Sequence, residues 1–494
     1  MSRNKLGGVS LDAIFLTFVK LLTTGLGLII TRLLSEYLSV YDYGVYSQAL
    51  LLVSTVSSFT IFGMMDGINY FYCSESDISK RESYTATIFS MQCIVSSVAG
   101  VGLLILSVPL CDYLGNPGIE RLLIFVAMLP LLQNVLSIIQ VLMISVGKAR
   151  MLALRNFVIS IVRLAVVFFV VAFVRNVAII LATTVVLDIA QIVVFLFVLK
   201  RNNCNVKIRK TDFRLILAIL KYCAPMAVFT MVSSLNRDMD KYLVSIMTDT
   251  KTLALYANAS KQLPFDILMT SFCTVLIPYI TKYISDHNKK RAAELYKIFL
   301  EITYISTGIL CCAAMSSAPQ LMKLLYSNKY TDGIAIFMIY ILVDLFRFTN
   351  ITLVLSAAGK TKTLMMIGLG SVVCNLVLNA LLYSWLGLIG PAIATLIVTI
   401  MSGMLMFYFN SKTLDTKIIA FFDVKYLAVF ISESIILTLA LSVFQKLMDK
   451  LDVHYFVILV TTVCIYGIAM LLLNGKRMLK TMKKVNRIGY DWQY

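Results

Sequence analysis

Long apolar runs alternate along this chain with short polar stretches. Fourteen such runs fall near 10–34, 45–65, 84–108, 121–146, 155–174, 177–199, 215–246, 253–281, 295–317, 333–357, 363–384, 387–410, 425–445 and 454–474. A helix needs roughly 20 mostly apolar residues to cross a hydrocarbon layer about 30 Å thick, at about 1.5 Å per residue. Each run meets that length, so the pattern predicts an all-α polytopic membrane protein with about 14 transmembrane helices. No polar connection exceeds roughly twenty residues, which leaves little room for an extramembrane catalytic domain or a ligand-binding ectodomain.

Composition agrees. Hydrophobic residues make up 59% of 494 and charged residues 14%, with a mean hydropathy of +0.86. A soluble fold would leave hundreds of apolar side chains in water. Arg3 and Lys5 precede the first run as in a secretory signal, but no small-residue cleavage site follows, so that run is read as a retained helix. Most of the ten cysteines lie inside apolar runs without CxxC spacing and read as small buried side chains. His287 and His454 are far apart and belong to no metal-binding motif. Gly359-Lys360-Thr361 resembles the end of a phosphate-binding loop, but Val354 stands where the upstream glycine is required. No metal, cofactor or catalytic group is expected.

The formal net charge of +18 is distributed unevenly. One alternate set of connections holds the N-terminus, Lys80 and Arg81, the Lys148/Arg150/Arg155 group, Lys200–Arg214, Lys289–Arg291, Lys360/Lys362, Lys412–Lys425 and the tail Lys476–Arg487. The opposite set is sparse. The positive-inside bias makes the basic set cytoplasmic and puts both termini inside. Topology thus accounts for most of the charge, with attraction to anionic membrane lipids added, and a nucleic-acid role is not needed.

The chain also repeats itself at an offset of about 210 residues. Gly44-Val45-Tyr46-Ser47-Gln48-Ala49 matches Ala254-Leu255-Tyr256-Ala257-Asn258-Ala259. Gly147-Lys148 matches Gly359-Lys360, and Ala182-Thr183 matches Ala394-Thr395. Six spans separate the copies, so both run the same way through the membrane. The expected organisation is a six-helix bundle over 1–200, a basic cytoplasmic linker at 201–214, and a second six-helix bundle over 215–411. Two further helices at 412–475 and a basic cytoplasmic tail at 476–494 follow.

Six plus six plus two, with Arg32-Leu33-Leu34 leading to Asp42-Tyr43-Gly44-Val45-Tyr46-Ser47 and with Asp240-Lys241-Tyr242-Leu243 ahead of Leu255-Tyr256-Ala257, resembles a known family. It is similar to the polysaccharide transporters of the multidrug/oligosaccharidyl-lipid/polysaccharide exporter superfamily, the Wzx-type flippases. The resemblance covers the whole layout but rests on short motifs. It implies a bacterial inner-membrane protein that flips undecaprenyl-pyrophosphate-linked glycan by alternating access, for O-antigen, capsule or exopolysaccharide.

Ionised side chains near the bilayer centre cost roughly 2.5 to 3.5 kcal/mol on insertion scales, so they normally face a cavity or one another. Some here look paired. Asp344 and Arg347 share a helical face, as do Arg237, Asp240 and Lys241, and Arg163 and Asp188 sit at equal depth on either side of the turn at Arg175. Each pair reads equally as an interhelical clamp or as a transport group. Lys20 and Lys261 have no acidic residue within four positions, which points to a water-filled cavity between the bundles. Given the resemblance, the expected substrate contacts are Lys20, Arg32, Arg163, Arg237, Lys241, Lys261 and Arg347 toward the diphosphate, with Asn258 and Asn375 toward sugar. Asn375 is the repeat equivalent of Arg163. Candidate carriers of a coupling proton or sodium ion are Asp66, Asp188, Asp240, Asp266 and Glu433.

No nucleophile and base pair appears, so a non-enzymatic transporter is expected, with a polysaccharide polymerase as a candidate partner. The alternatives are a multidrug extruder of the same superfamily, which would need an acidic pocket in the first bundle, a membrane-embedded glycan polymerase, and a scramblase without directional transport.

Overall fold

The computed structural model describes residues 3–74, 77–114, 116–145, 149–201, 211–263, 265, 276, 280–281, 283–284, 286–350 and 352–490. Among these the regular elements are helices, and no strand occurs. The first part of the chain forms α1 (Arg3–Tyr37), α2 (Val40–Thr60), α3 (Met64–Ser74), α4 (Ile78–Ile105), α5 (Ser107–Leu114) and α6 (Leu123–Ser145). It continues with α7 (Ala149–Phe173), α8 (Val177–Arg201), α9 (Ile216–Met247) and α10 (Thr250–Ala259). The later part forms α11 (Lys289–Ser316), α12 (Ala318–Tyr326), α13 (Ile334–Phe346), α14 (Leu353–Ala357) and α15 (Thr361–Leu386). It ends with α16 (Gly390–Leu414), α17 (Val424–Lys450) and α18 (Tyr455–Tyr490).

Local sequence marks several helix starts. Ser39 caps α2 by accepting from the Asp42 amide at 3.0 Å, and Asp77 caps α4 through Ser79 at 2.8 Å. Asn288 and Asp423 do the same for α11 and α17. Each cap satisfies an amide that has no partner inside its own helix. Among the described residues nine segments are long and apolar enough to cross a membrane, and one of them, Lys362–Leu414, contains the hairpin of α15 and α16. Large apolar side chains lie outward in a way no soluble protein tolerates. On α8, Val186, Val193, Val194 and Phe197 are each more than half exposed, as lipid-facing positions must be.

Contacts divide the chain into Met1–Ala257 and Asn258–Tyr494. In the first unit α1 runs along α7, α4 and α8 flank α6, and α9 packs on α2 and α3. That packing places α9 with the first unit, although charge alone suggests a boundary at 201–214, of which 202–210 lie outside the described residues. The core of this unit joins Met64, Ile88, Ile138, Ile139 and Phe195, with Phe71 stacked on Tyr84 at 4.4 Å. Gly100 of α4 lets the backbone of α6 approach closely, since a Cβ there would lie 2.6 Å from the Ala127 carbonyl oxygen. Gly44, from the repeated motif, has the same role against the Thr250 carbonyl at the start of α10.

In the second unit α11 packs on α17 and α18, and α13 packs on α11 and α16. Aromatic rings fill these seams: Tyr296 meets Phe421 edge-on at 5.1 Å, and Tyr304 meets Phe430 at 6.0 Å.

Two spans expected to be continuous are interrupted. The helix of the eighth ends at Ala259, and Lys261–Leu263 are not helical. Leu263 precedes Pro264, which disfavours α conformation in the residue before it and has no N–H to continue the ladder. Most of the remainder of that span lies outside the described residues. In the tenth span α13 stops at Phe346 and a 3-10 turn covers Arg347–Asn350. There the Thr349 hydroxyl donates to the Phe346 carbonyl at 2.6 Å, a local bond that competes with the helical ladder.

Candidate functional site

The α7–α8 hairpin carries the first cluster of charge. The fixed turn at Arg175, with φ of 50°, brings the two helices back antiparallel. Arg163 then lies 3.4 Å from Asp188, as equal depth predicts. Gln191, one turn on from Asp188, donates to the same Oδ1 at 3.1 Å. Arg155 hydrogen-bonds the Gln191 carbonyl oxygen and lays its guanidinium 4.3 Å above the Phe195 ring. Asp188 is buried, whereas the Arg163 side chain is 40% exposed. Arg163 is thus the cation at Asp188 and Arg155 joins the cluster through Gln191, and the Nε atoms of Arg155 and Arg163 are buried without a hydrogen-bond partner. The charge pattern places Arg155 at the cytoplasmic surface, so this role is missed. The signal that could have found it was Gln191, three residues after Asp188 on the same face.

A second cluster lines the meeting of α2 and α9. Asp238 takes the Lys241 ammonium at 2.7 Å, the Arg237 guanidinium at 3.5 Å and the Ser54 hydroxyl at 3.4 Å. Arg237 also donates to Ser234 at 3.3 Å, and Ser234 pairs with Ser58 at 2.7 Å. Tyr242 hydrogen-bonds Thr55 and the Leu51 carbonyl, and Gln48 joins Ser245 to Asn116. Here two cations share one carboxylate. The expected face of Arg237, Asp240 and Lys241 needs correcting, because the acid serving both cations is Asp238. Asp240 is buried elsewhere and accepts from Tyr256 of α10 at 2.9 Å, while its Oδ1 has no hydrogen-bond partner. Helical geometry allows either acid to reach Lys241, and only the position of α10 decides between them. Outside the spans, Asp249 has its carboxyl held below the usual range by the Thr252 hydroxyl and nearby amides.

In the second unit Arg347 lies 3.6 Å from Asp344 and also donates to the Gln262 side chain. Asn258 is 1% exposed and its amide has no hydrogen-bond partner. Asn375 is equally buried on α15. Lys261 is exposed just beyond α10. Glu433 on α17 accepts from Asn474 of α18 at 3.1 Å. Arg32, by contrast, is salt-bridged to its own helix through Glu36 at 2.9 Å. The side chains of Lys20 on α1 and Asp66 on α3, and the whole of Asp266, lie outside the described residues.

One further knot was invisible to sequence reading. Arg477 of α18 donates to Glu301 of α11 at 2.6 Å and to Asp423 at 2.7 Å, and stacks 3.6 Å above the Tyr426 ring. Its partners lie 176 and 54 residues away, so no local pattern announces it. The Arg477 hydrogen bond, with the Tyr426 amide, holds the Asp423 carboxyl below the ordinary range.

The fold is shared with known transporters. A structure described as lipid II flippase MurJ in an inward closed conformation matches with a TM-score of 0.72 at 16% identity, covering 94% of this chain and 100% of that one. An inward-facing multidrug resistance MATE family transporter of the MOP superfamily matches with a TM-score of 0.63 at 14% identity, over 82% of this chain and 98% of that one. A MOP superfamily transporter from Pyrococcus furiosus, described as having a binding pocket of reverse polarity, matches with a TM-score of 0.60 at 12% identity, over 82% and 94%. No functionally curated protein matches by sequence. A family profile described as polysaccharide biosynthesis protein matches residues 29–335, more than half of the chain, and the chain belongs to that family.

Proposed function

We propose that this protein is a flippase that carries undecaprenyl-pyrophosphate-linked oligosaccharide repeat units across the bacterial cytoplasmic membrane by alternating access, supplying O-antigen, capsule or exopolysaccharide synthesis. One observation carries the reading: within membrane-spanning helices, two separate clusters carry more cations than carboxylates, Arg163 at Asp188 with Arg155 joined through Gln191, and Arg237 and Lys241 around Asp238. Excess positive charge at that depth is costly unless an anion is received there. A diphosphate fits, because guanidinium presents paired donors to phosphate oxygens while the ammonium acts as a point charge. Family membership and a fold shared with a lipid II flippase support the same class. An extruder of organic cations would need the opposite sign.

In this scheme Lys20, Arg32, Lys261 and Arg347 add to the diphosphate contacts, and Asn258 and Asn375 receive sugar hydroxyls. Asp66, Asp188, Asp240, Asp266 and Glu433 are the candidate carriers of a coupling proton or sodium ion. Both termini are cytoplasmic, and a polysaccharide polymerase takes up the product. The test is reconstitution into vesicles containing a fluorescent undecaprenyl-pyrophosphate glycan, with appearance at the far leaflet read by an impermeant glycosidase. Wild type should speed appearance well above protein-free vesicles. Arg163→Ala with Lys241→Ala should reduce it at least tenfold, and an unchanged rate in that double variant would refute the reading.

A further inference from the structure

The last two helices carry a surface that this scheme does not use. α17 begins at Val424, and α18 runs for 36 residues, about 54 Å at helical rise, so it outlasts a hydrocarbon layer of about 30 Å. Along the middle of both, large apolar side chains such as Leu439, Ile468 and Leu472 lie outward, as lipid-facing positions do. Beyond the spans the exposed side chains change character. Lys476 and Lys480, one turn apart on α18, are exposed, as is Lys425 in the first turn of α17. The 3-10 turn Ile418–Phe421 precedes α17, with Lys417 exposed at its start. In that connection Ile419 is 73% exposed, and Ile418 and Val424 are exposed as well. Two contacts fix the arrangement. Phe421 is buried against Tyr296 of α11 at 5.1 Å, which anchors the turn and leaves the two isoleucines before it outside the core. Asp423 takes the Arg477 guanidinium at 2.7 Å, which ties the connection to α18 between Lys476 and Lys480. Glu301 holds the same guanidinium at 2.6 Å, so both acids at this junction are engaged by Arg477 and the lysines around it keep their charge excess. Asp415, the other acid of the connection, is outnumbered there by Lys412 and Lys417.

We propose that this surface binds an anionic phospholipid of the surrounding bilayer, with Lys417, Lys425, Lys476 and Lys480 supplying the charge for its headgroup phosphate and the Ile418–Ile419 ridge meeting the top of its acyl chains. Depth argues for this occupant. The apolar run at 454–474 is of bilayer length, so Lys476 and Lys480 stand within two turns of its end, at the level of lipid phosphates. Isoleucine side chains left in water at the rim of a bilayer gain burial by entering the interface, with no second protein needed. Lysine suits the headgroup, because its ammonium is a compact point charge on a flexible stem whose methylenes can lie along lipid. Positive charge close to the membrane also draws anionic lipids over neutral ones. Apolar ridge and lysines are held together by the Phe421 and Arg477 contacts, so little ordering is left for binding to supply. The inference goes beyond the flippase reading and does not depend on it, since none of these four lysines is a substrate contact in that scheme.

The test uses tryptophan quenching by brominated lipid in the full-length chain reconstituted into bilayers. The sequence has two tryptophans, Trp385 and Trp492, and replacing both by Phe leaves Ile419→Trp as the reporter. In phosphatidylcholine bilayers containing brominated phosphatidylglycerol, the reporter should bind the anionic lipid at least threefold more strongly than brominated phosphatidylcholine in low salt, and the preference should vanish in molar salt. A reporter at lipid-facing Leu439→Trp, in mid-span on α17, should show no preference in either. Replacing Lys417, Lys425, Lys476 and Lys480 together by Gln should abolish the preference at position 419, and replacing all four by Arg should keep it. A second measurement keeps Ile419: in native mass spectrometry of the purified chain, phosphatidylglycerol retained per chain should fall at least threefold in the four-Gln variant. Equal quenching by the two lipids at position 419, a preference that survives the four-Gln substitution, or retention unchanged by it would each overturn the proposal. Displacement of phosphatidylglycerol by undecaprenyl phosphate at a tenfold lower mole fraction would give the surface to a polyprenyl lipid instead and overturn it as well.

Discussion

Breaking the Arg163–Asp188 pair gives a measurable energy that can be worked out beforehand. At 3.4 Å and an effective dielectric near 20, the attraction is about 5 kcal/mol before desolvation is subtracted. Asp188 is almost fully enclosed, with 5% of its side chain exposed, whereas Arg163 is 40% exposed, so the cost of removing water falls mainly on the acid. Truncating Arg163 leaves Asp188 with the Gln191 amide and the more distant Arg155, and should destabilise by roughly 2–3 kcal/mol, below the ~3–5 of a fully enclosed pair. Replacing Asp188 by Asn leaves Arg163 with an exposed route and should cost less. A double-mutant cycle of Arg163→Ala and Asp188→Asn, read by equilibrium unfolding in mixed micelles, should return a coupling of ~1–2 kcal/mol. A coupling under about 0.5 kcal/mol would show that the two groups do not hold each other and that the hairpin is fixed by apolar packing alone.

Gly44→Ala should destabilise by roughly 1–3 kcal/mol, because the new methyl group meets the backbone carbonyl of Thr250 and neither helix end can yield without moving; an unchanged unfolding midpoint would contradict that close approach. The depressed Asp423 carboxyl makes the junction of α11, α17 and α18 acid-sensitive. Its contribution is full above the ordinary carboxylate value of about 4 and is lost as pH falls through the lower folded value, so Asp423→Asn should flatten stability against pH only below about pH 4. A profile that differs instead near neutrality would rule out this assignment. The proposed topology, with both termini inside, predicts that a phosphatase that works only in the periplasm is inactive when fused after Tyr494. An active fusion would reverse the topology.

Sequence alone determined the solvent and the architecture. Apolar runs of bilayer length, short connections and one-sided basicity leave an all-helical membrane protein as the reading, because backbone in hydrocarbon must bond within its own segment. It also brought Arg163 to Asp188, since a tight hairpin maps equal counts from a turn onto equal depth. Other features depended on three-dimensional packing. Asp238 rather than Asp240 serves Arg237 and Lys241 because α10 draws Asp240 to Tyr256. Arg155 enters the Asp188 cluster because Gln191 and Phe195 meet it from the neighbouring helix. Arg477 finds Glu301 and Asp423 across three helices. Helical periodicity specifies which face a residue occupies, but several partners at one depth satisfy the same periodicity. Which of them is met depends on the rotation and approach of the neighbouring helix, and these are set by packing summed over many distant residues.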